Sequence, residues 1–347
     1  MPTQKSVSFR AHLHSNATDL IAEMGLQCAR TANLIGGIVS QLAAYTEEGV
    51  PLAPTVFVCN SISDLLRRAG AGEHVALRTG EPMDSAARSL LKSAAPLCSQ
   101  HWRIYVERTD GAAICNYGVF CGSSDPSSLT VDEILLGEFE AGFPIVRIAQ
   151  SATNKVEVRT NAGSGIEFRF NDDQDAAAPD SRGHLSKIAK AICSEVPGDQ
   201  DPFAALIERI LTKAVAECHG ALIAVVPAPG DQLPPELADR VVLAPPIDLL
   251  DRYHLHVQEG KTAVSVSRLQ TATELVSGVV RSDGITLFST TGRVVGYRGF
   301  IRSDNTLPAA AGGARTRAFE SLKLLLGKGV VAVYFRSQDG RTAVAQI

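Results

Sequence analysis

Two arginines, Arg315 and Arg317, stand in "GGARTRAF" (312–319), on a Gly-Gly loop just ahead of a helical pattern, "ESLKLLLGKG". A helix N-terminus exposes unpaired N–H groups and carries partial positive charge. Two more cations there cost electrostatic energy unless an anion lies among them. A phosphate suits that chemistry, held by Arg315, Arg317 and the N–H groups of the Gly312, Gly313 and Ala314 loop. Earlier in the chain, Asp283-Gly284 opens "SDGITLF". A carboxylate there could hold a divalent cation, and the glycine lets a backbone or a phosphate approach closely. The same dipeptide is also a common turn. A third stretch, "VVAVYFRSQDG", reads as a closing strand whose end faces a turn. Ligands gather at such strand ends, although a plain edge hairpin explains the stretch as well.

The elements that must position these residues are legible as periodicity and punctuation. Residues 17–46 read as one long helix with a break or kink at Gly36-Gly37. Strand, helix, strand and helix follow at 54–60, 61–70, "EHVALRTG" and 84–100. "WRIYVERT" and "AAICNYGVF" flank Asp110-Gly111, a hairpin signal. "PIVRIAQS", "KVEVRTN" and "GIEFRFND" complete a sheet. This is an α+β domain, assigned to residues 1–198. A polar stretch at 171–183, a short helix and a second break at 195–202 lead to the next domain. Residues 199–347 interleave helices and strands from "FAALIERILTKAVAECHG" through "ALIAVVP" to a hairpin at Asp339-Gly340. The expectation there is an α/β domain, a mixed sheet flanked by helices.

Bulk numbers set bounds. The 347 residues suit two domains, and 45% hydrophobic with 20% charged residues is the composition of a globular chain. The net charge of −4 is unevenly spread. Residues 281–347 hold ten Lys and Arg against four Asp and Glu, a net +6 that leaves −10 for the rest. A basic segment on an acidic body points to a local anion site and away from duplex DNA. Seven scattered cysteines, none in a CxxC pair, read as free thiols, mostly in apolar runs, in a reducing cytoplasm. No apolar signal region follows the N-terminal "MPTQKSVSFRAHLHSN", and no run approaches the length of a membrane span.

Taken together and in this order, the three stretches resemble the diadenylate cyclase domain, which joins two ATP molecules into cyclic di-AMP. Asp283-Gly284-Ile285 matches that family's Asp-Gly-Ala motif with Ile for Ala. Gly313-Ala314-Arg315-Thr316-Arg317-Ala318 matches its Gly-Thr-Arg-His-Arg-Ala loop, with Ala for Thr and Thr for His. "TKAVAECHGALIAVV" is similar to the family's opening helix and strand, so the resemblance covers about residues 203–347. The third motif departs. Aligning Gly340 puts Ser337 where the family has a metal-binding Glu, and Ser brings no negative charge to Mg2+ or Mn2+. Asp339 or Glu320 would need a shifted backbone to substitute. The resemblance therefore implies a degenerate, sensor-type domain that binds an adenine nucleotide or a cyclic oligonucleotide in bacterial signalling or conflict systems. Its nucleotide-binding residues would be Asp283, Gly284, Gly312, Gly313, Ala314, Arg315, Thr316 and Arg317, with Asp283 on a ribose hydroxyl or a metal. The alternative is an active cyclase: a homodimer using Mg2+ or Mn2+, with Asp283 catalytic.

Other candidates carry simpler readings. His12/His14 and His254/His256 are i,i+2 pairs that would share a face in a strand, as metal ligands do, but fit surface or partly buried histidines better. His219 ends a helix, where a cation favours the dipole. Ser282 and Ser289 lack a GxSxG context, "GSSDPSS" lacks the lysine of a phosphate loop, and Trp102 suits packing.

Overall fold

The computed structural model describes residues 9–24, 28–70, 73–98, 101–109, 111, 113–137, 142–152, 154–170, 181–198, 200–228, 233–301, 313–338 and 340–347. Its contacts divide the chain into two compact units, one of residues 1–124 and 128–174, the other of 125–127 and 175–347. The division falls ahead of the expected boundary at 198/199, so the short helix between the two polar breaks is grouped with the second unit.

The first unit runs α1 (Phe9–Glu23), α2 (Ala29–Leu42), β1 (Thr46–Glu47), β2 (Val50–Pro51), β3 (Val56–Cys59), α3 (Ile62–Ala69), β4 (His74–Pro82), α4 (Met83–Ala94), β5 (Trp102–Arg108), β6 (Ile114–Cys121), α5 (Val131–Gly137), β7 (Val146–Ala152), β8 (Lys155–Thr160) and β9 (Gly165–Arg169). Seven strands make a mixed sheet in the order β4-β6-β5-β3-β7-β8-β9, in which β3 and β5 are the parallel pair. Ser61 caps α3 by accepting from the Asp64 N–H at 3.2 Å, and Gly70 ends it in the left-handed region. The single helix expected over 17–46 is instead two, α1 and α2. Gly36-Gly37 does not kink the chain. A Cβ on Gly36 would lie 2.6 Å from Leu13 Cδ2, and one on Gly37 2.9 Å from Ala87 Cβ. The glycines let α1 and α4 press against α2.

The second unit continues with α6 (Ser181–Ile192), α7 (Gln200–Ala216), β10 (Ala221–Val226), β11 (Val241–Asp248), α8 (Leu249–Gln258), α9 (Ala263–Arg281), β12 (Ile285–Ser289), β13 (Arg293–Gly299), α10 (Ala314–Lys323), β14 (Ala332–Arg336) and β15 (Thr342–Gln346). Its sheet has the order β11-β13-β12-β10-β14-β15. The strand β10, "ALIAVV", is buried along its whole length, because it lies centrally between parallel β12 and antiparallel β14. Its alternation sorts two layers. Ala221, Ile223 and Val225 join a core with residues of α6, α7, α8 and α9, while Leu222, Ala224 and Val226 join another with Phe319 and Leu322 of α10. The expected mixed sheet flanked by helices is what the second unit has. Residues 254–256 are helical, within α8, so His254 and His256 do not share a face. His256 is buried, its Nε2 3.1 Å from both Asp125 Oδ1 and Ser127 Oγ and its Nδ1 2.9 Å from Ser265 Oγ. His14 lies on α1 rather than on a strand.

All seven cysteines are free, and Cys59, Cys115 and Cys193 are buried. Burial pushes the Cys193 thiol up to about 12 and, with the Glu81 carboxylate nearby, the Cys115 thiol up to about 11. No helix among the described residues is long and apolar enough to cross a membrane.

Candidate functional site

The parallel pair β10 and β12 gives the second sheet two unlike ends. At the amino end, Leu222 of β10 is in register with Ile285 of β12, and Ala221 with Arg336 of β14. Carried back to Gly220, one residue beyond the pairing with β14 and two beyond the pairing with β12, that register sets Ser337 and Asp283 on either side of it at the sheet edge. The helix α10 begins at the same end. Arg315 Nη2 lies 3.4 Å from Asp283 Oδ1, so two sequence motifs 32 residues apart meet. Both side chains face solvent, Asp283 at 70% and Arg315 at 38% exposure. A pair so exposed contributes at most about 1 kcal/mol to stability and leaves both groups available to a ligand.

Gly313 is the N-cap of α10, with no side-chain cap, and the first bond of the helix runs from the Arg317 N–H to the Gly313 carbonyl at 3.1 Å. The N–H groups of Ala314, Arg315 and Thr316 therefore precede the helical ladder. Gly313 has φ −68° and ψ 171°, and nothing lies within 4 Å of a Cβ built there. Its place on the loop does not need a glycine's freedom. Arg317 is exposed, and among the described residues its guanidinium makes no hydrogen bond or ion pair. Gly312 and Asp339 lie outside the described residues.

Gly284 has a firmer reason to be glycine. Its φ is +94°, and a Cβ would stand 2.9 Å from Arg298 Cα and from the Gly299 carbonyl oxygen. The close approach expected at this position is therefore met by the neighbouring strand β13. Part of the Asp-Gly signal is sheet packing, with Gly284 bringing Asp283 to the edge.

One residue the sequence reading passed over belongs here. Gly220 lies beneath the Arg315 side chain: a Cβ would be 3.1 Å from Arg315 Nη1, 3.3 Å from Arg315 Cδ and 3.0 Å from the Arg336 carbonyl oxygen. Arg336 in turn donates from Nη1 to the carbonyls of Val215 and Cys218 at the end of α7, the latter at 2.9 Å. It thereby ties the turn that leads into Gly220 to β14. The signal for Gly220 was present, a glycine between a helix end and a buried strand, but only the fold reveals what crosses it.

Ser337 is engaged within its own turn. Its N–H donates to the Arg341 carbonyl at 2.8 Å, and its Oγ accepts from the Arg341 N–H at 2.9 Å. Glu320 pairs with Lys323 at 2.7 Å, further along α10. Among the described residues no group of three or more His, Cys, Asp or Glu side chains could hold a metal ion. Asp283 shares its charge with Arg315, and the described donor set fits a divalent cation poorly.

The other end of the sheet differs in kind. Past the ends of β10 and β12, a concavity of about 360 Å3 is lined by Ala228, Asp248, Leu250, Asp251, His254, Thr291 and Arg293. Thr290 closes the strands beneath it, its Oγ1 donating to Glu195 Oε2 at 2.7 Å and accepting from the Ala228 N–H at 2.9 Å. Comparisons with family models, with curated proteins and with solved structures found no match to this chain.

Proposed function

We propose that the second unit is a nucleotide-binding sensor domain of diadenylate cyclase-like type, holding an adenine nucleotide or a cyclic oligonucleotide at the amino end of β10 and β12. The observation that carries this reading is the meeting of Asp283 and Arg315 at 3.4 Å beside the α10 N–H groups that precede its helical ladder. Arg315 and the uncommitted Arg317 supply positive charge to phosphates, and the Ala314–Thr316 amides supply donors. Asp283 accepts from a ribose hydroxyl once a phosphate draws Arg315 aside. The engagement of Ser337 with Arg341 supports binding without catalysis, since it fills the place of an acidic ligand with a closed turn. In this role the protein acts in bacterial nucleotide signalling or conflict systems, reporting the nucleotide rather than making it.

The test is retention of radiolabelled ATP and cyclic di-AMP by the full chain in equilibrium dialysis. Retention of either, falling about tenfold or more in Arg315→Ala and in Arg317→Ala, is the expected outcome. Retention of neither would overturn the reading. The same mixture, given Mg2+ or Mn2+ and resolved by chromatography, tests for product. A cyclic product that disappears in Asp283→Ala would replace the sensor by an enzyme.

A further inference from the structure

We propose that the concavity at the carboxyl ends of β10 and β12 is a second binding site, for a small zwitterion of amino-acid size. Its position is the first argument. In open α/β sheets, ligands bind in the crevice beyond the carboxyl ends of the strands. The volume, about 360 Å3, falls in the lower part of the range for small-molecule sites.

The lining sets the chemistry. Asp248 is fully committed: its Oδ1 accepts from the Asp251 N–H at 3.0 Å, capping α8, and its Oδ2 accepts from Arg293 Nε at 2.6 Å. That pairing neutralises Arg293 and orients it, while its Nη atoms make no hydrogen bond among the described residues and its side chain is 43% exposed. Asp251 is exposed, and its carboxylate has no hydrogen bond or ion pair among the described residues. His254 follows three residues later on α8, so the two side chains share one side of the helix. Thr291 completes the floor, its hydroxyl 3.0 Å from Ser289 Oγ.

The site thus offers one unpaired carboxylate and one guanidinium whose charge is already balanced. A polyphosphate would meet uncompensated negative charge from Asp251. A ligand with an ammonium for Asp251 and a carboxylate or carbonyl for the Arg293 Nη donors meets both walls. The two sites lie at opposite ends of strands that are roughly 17 Å long. This second site stands independently of the nucleotide reading.

Saturation-transfer NMR on the full chain, with the twenty standard α-amino acids at millimolar concentration as probes, tests it. The expected result is transfer to one or a few of them. Asp251→Asn should reduce it several-fold, and Arg315→Ala should leave it unchanged. Asp251→Asn removes no hydrogen bond or ion pair among the described residues and keeps the backbone N–H that Asp248 caps, so the variant is expected to fold. No transfer to any amino acid, or transfer that Asp251→Asn does not alter, would overturn the proposal.

Discussion

The two ends of the second sheet use charge in opposite ways. At the amino end, Arg315 and Arg317 rise on the first turn of α10, and Arg315's acidic partner among the described residues, Asp283, is exposed and loosely held at 3.4 Å. At the carboxyl end, Arg293 is held at 2.6 Å by an aspartate that is also a helix cap, and the free charge is a carboxylate. One end leaves its cations exposed. The other has spent its cation on its own architecture. An arginine's role follows from what already pairs with it, and composition alone does not reveal that.

The largest effect that would break this comparison comes from backbone geometry at the amino end. Gly284→Ala should lower stability by about 2–4 kcal/mol, because the new Cβ sits in a left-handed conformation against the backbone of β13. Gly313→Ala, in open space with an ordinary φ, should change stability by less than about 0.5 kcal/mol. Urea denaturation of the two variants measures the contrast, and equal effects would mean that Gly284 is not what brings Asp283 to the edge. A smaller effect belongs to the carboxyl end. Thr290→Val leaves the Ala228 N–H and the Glu195 carboxylate without their shared hydroxyl. It should cost about 1–2 kcal/mol while leaving nucleotide retention at the far end intact. A drop in retention would show that the two ends are coupled. A small stability change, below about 1 kcal/mol, is also expected of Asp283→Asn, because its ion pair is exposed. Its influence should appear in nucleotide retention. A large loss of stability would mean that Asp283 is structural and its pairing with Arg315 a fold contact.

Much of the scaffold was legible in advance for a local reason. The run "ALIAVV" has no polar face and reads as a buried strand, which it is. Ser61 and Gly70 bracket α3 with the chemistry of a cap and a left-handed stop. The misreadings fell where local patterns have two solutions. Gly36-Gly37 looked like a helix break, yet served close packing by Leu13 and Ala87, a contact between residues far apart in sequence. His254 and His256 would share a face only in a strand, and lie on a helix that Asp248 starts. The candidate site was half legible. Asp283 and Arg315 were singled out separately, and the fold brings them to 3.4 Å. Gly220 and Arg336 were not, since each matters only through a partner brought in by the fold.

By itself the sequence determined the periodicities, the caps, the apolar runs that must be buried and the concentration of positive charge in residues 281–347. These are properties of neighbouring residues, and a helix or strand needs little else to be specified. Only the tertiary structure decided which charges are already paired and which are free. It sets Arg315 over Gly220 beside Asp283, locks Arg293 onto Asp248, and closes Ser337 onto Arg341. The physical reason is that a charged side chain's availability depends on the distance to its counter-charge, and sheet register and strand order fix that distance across tens of residues.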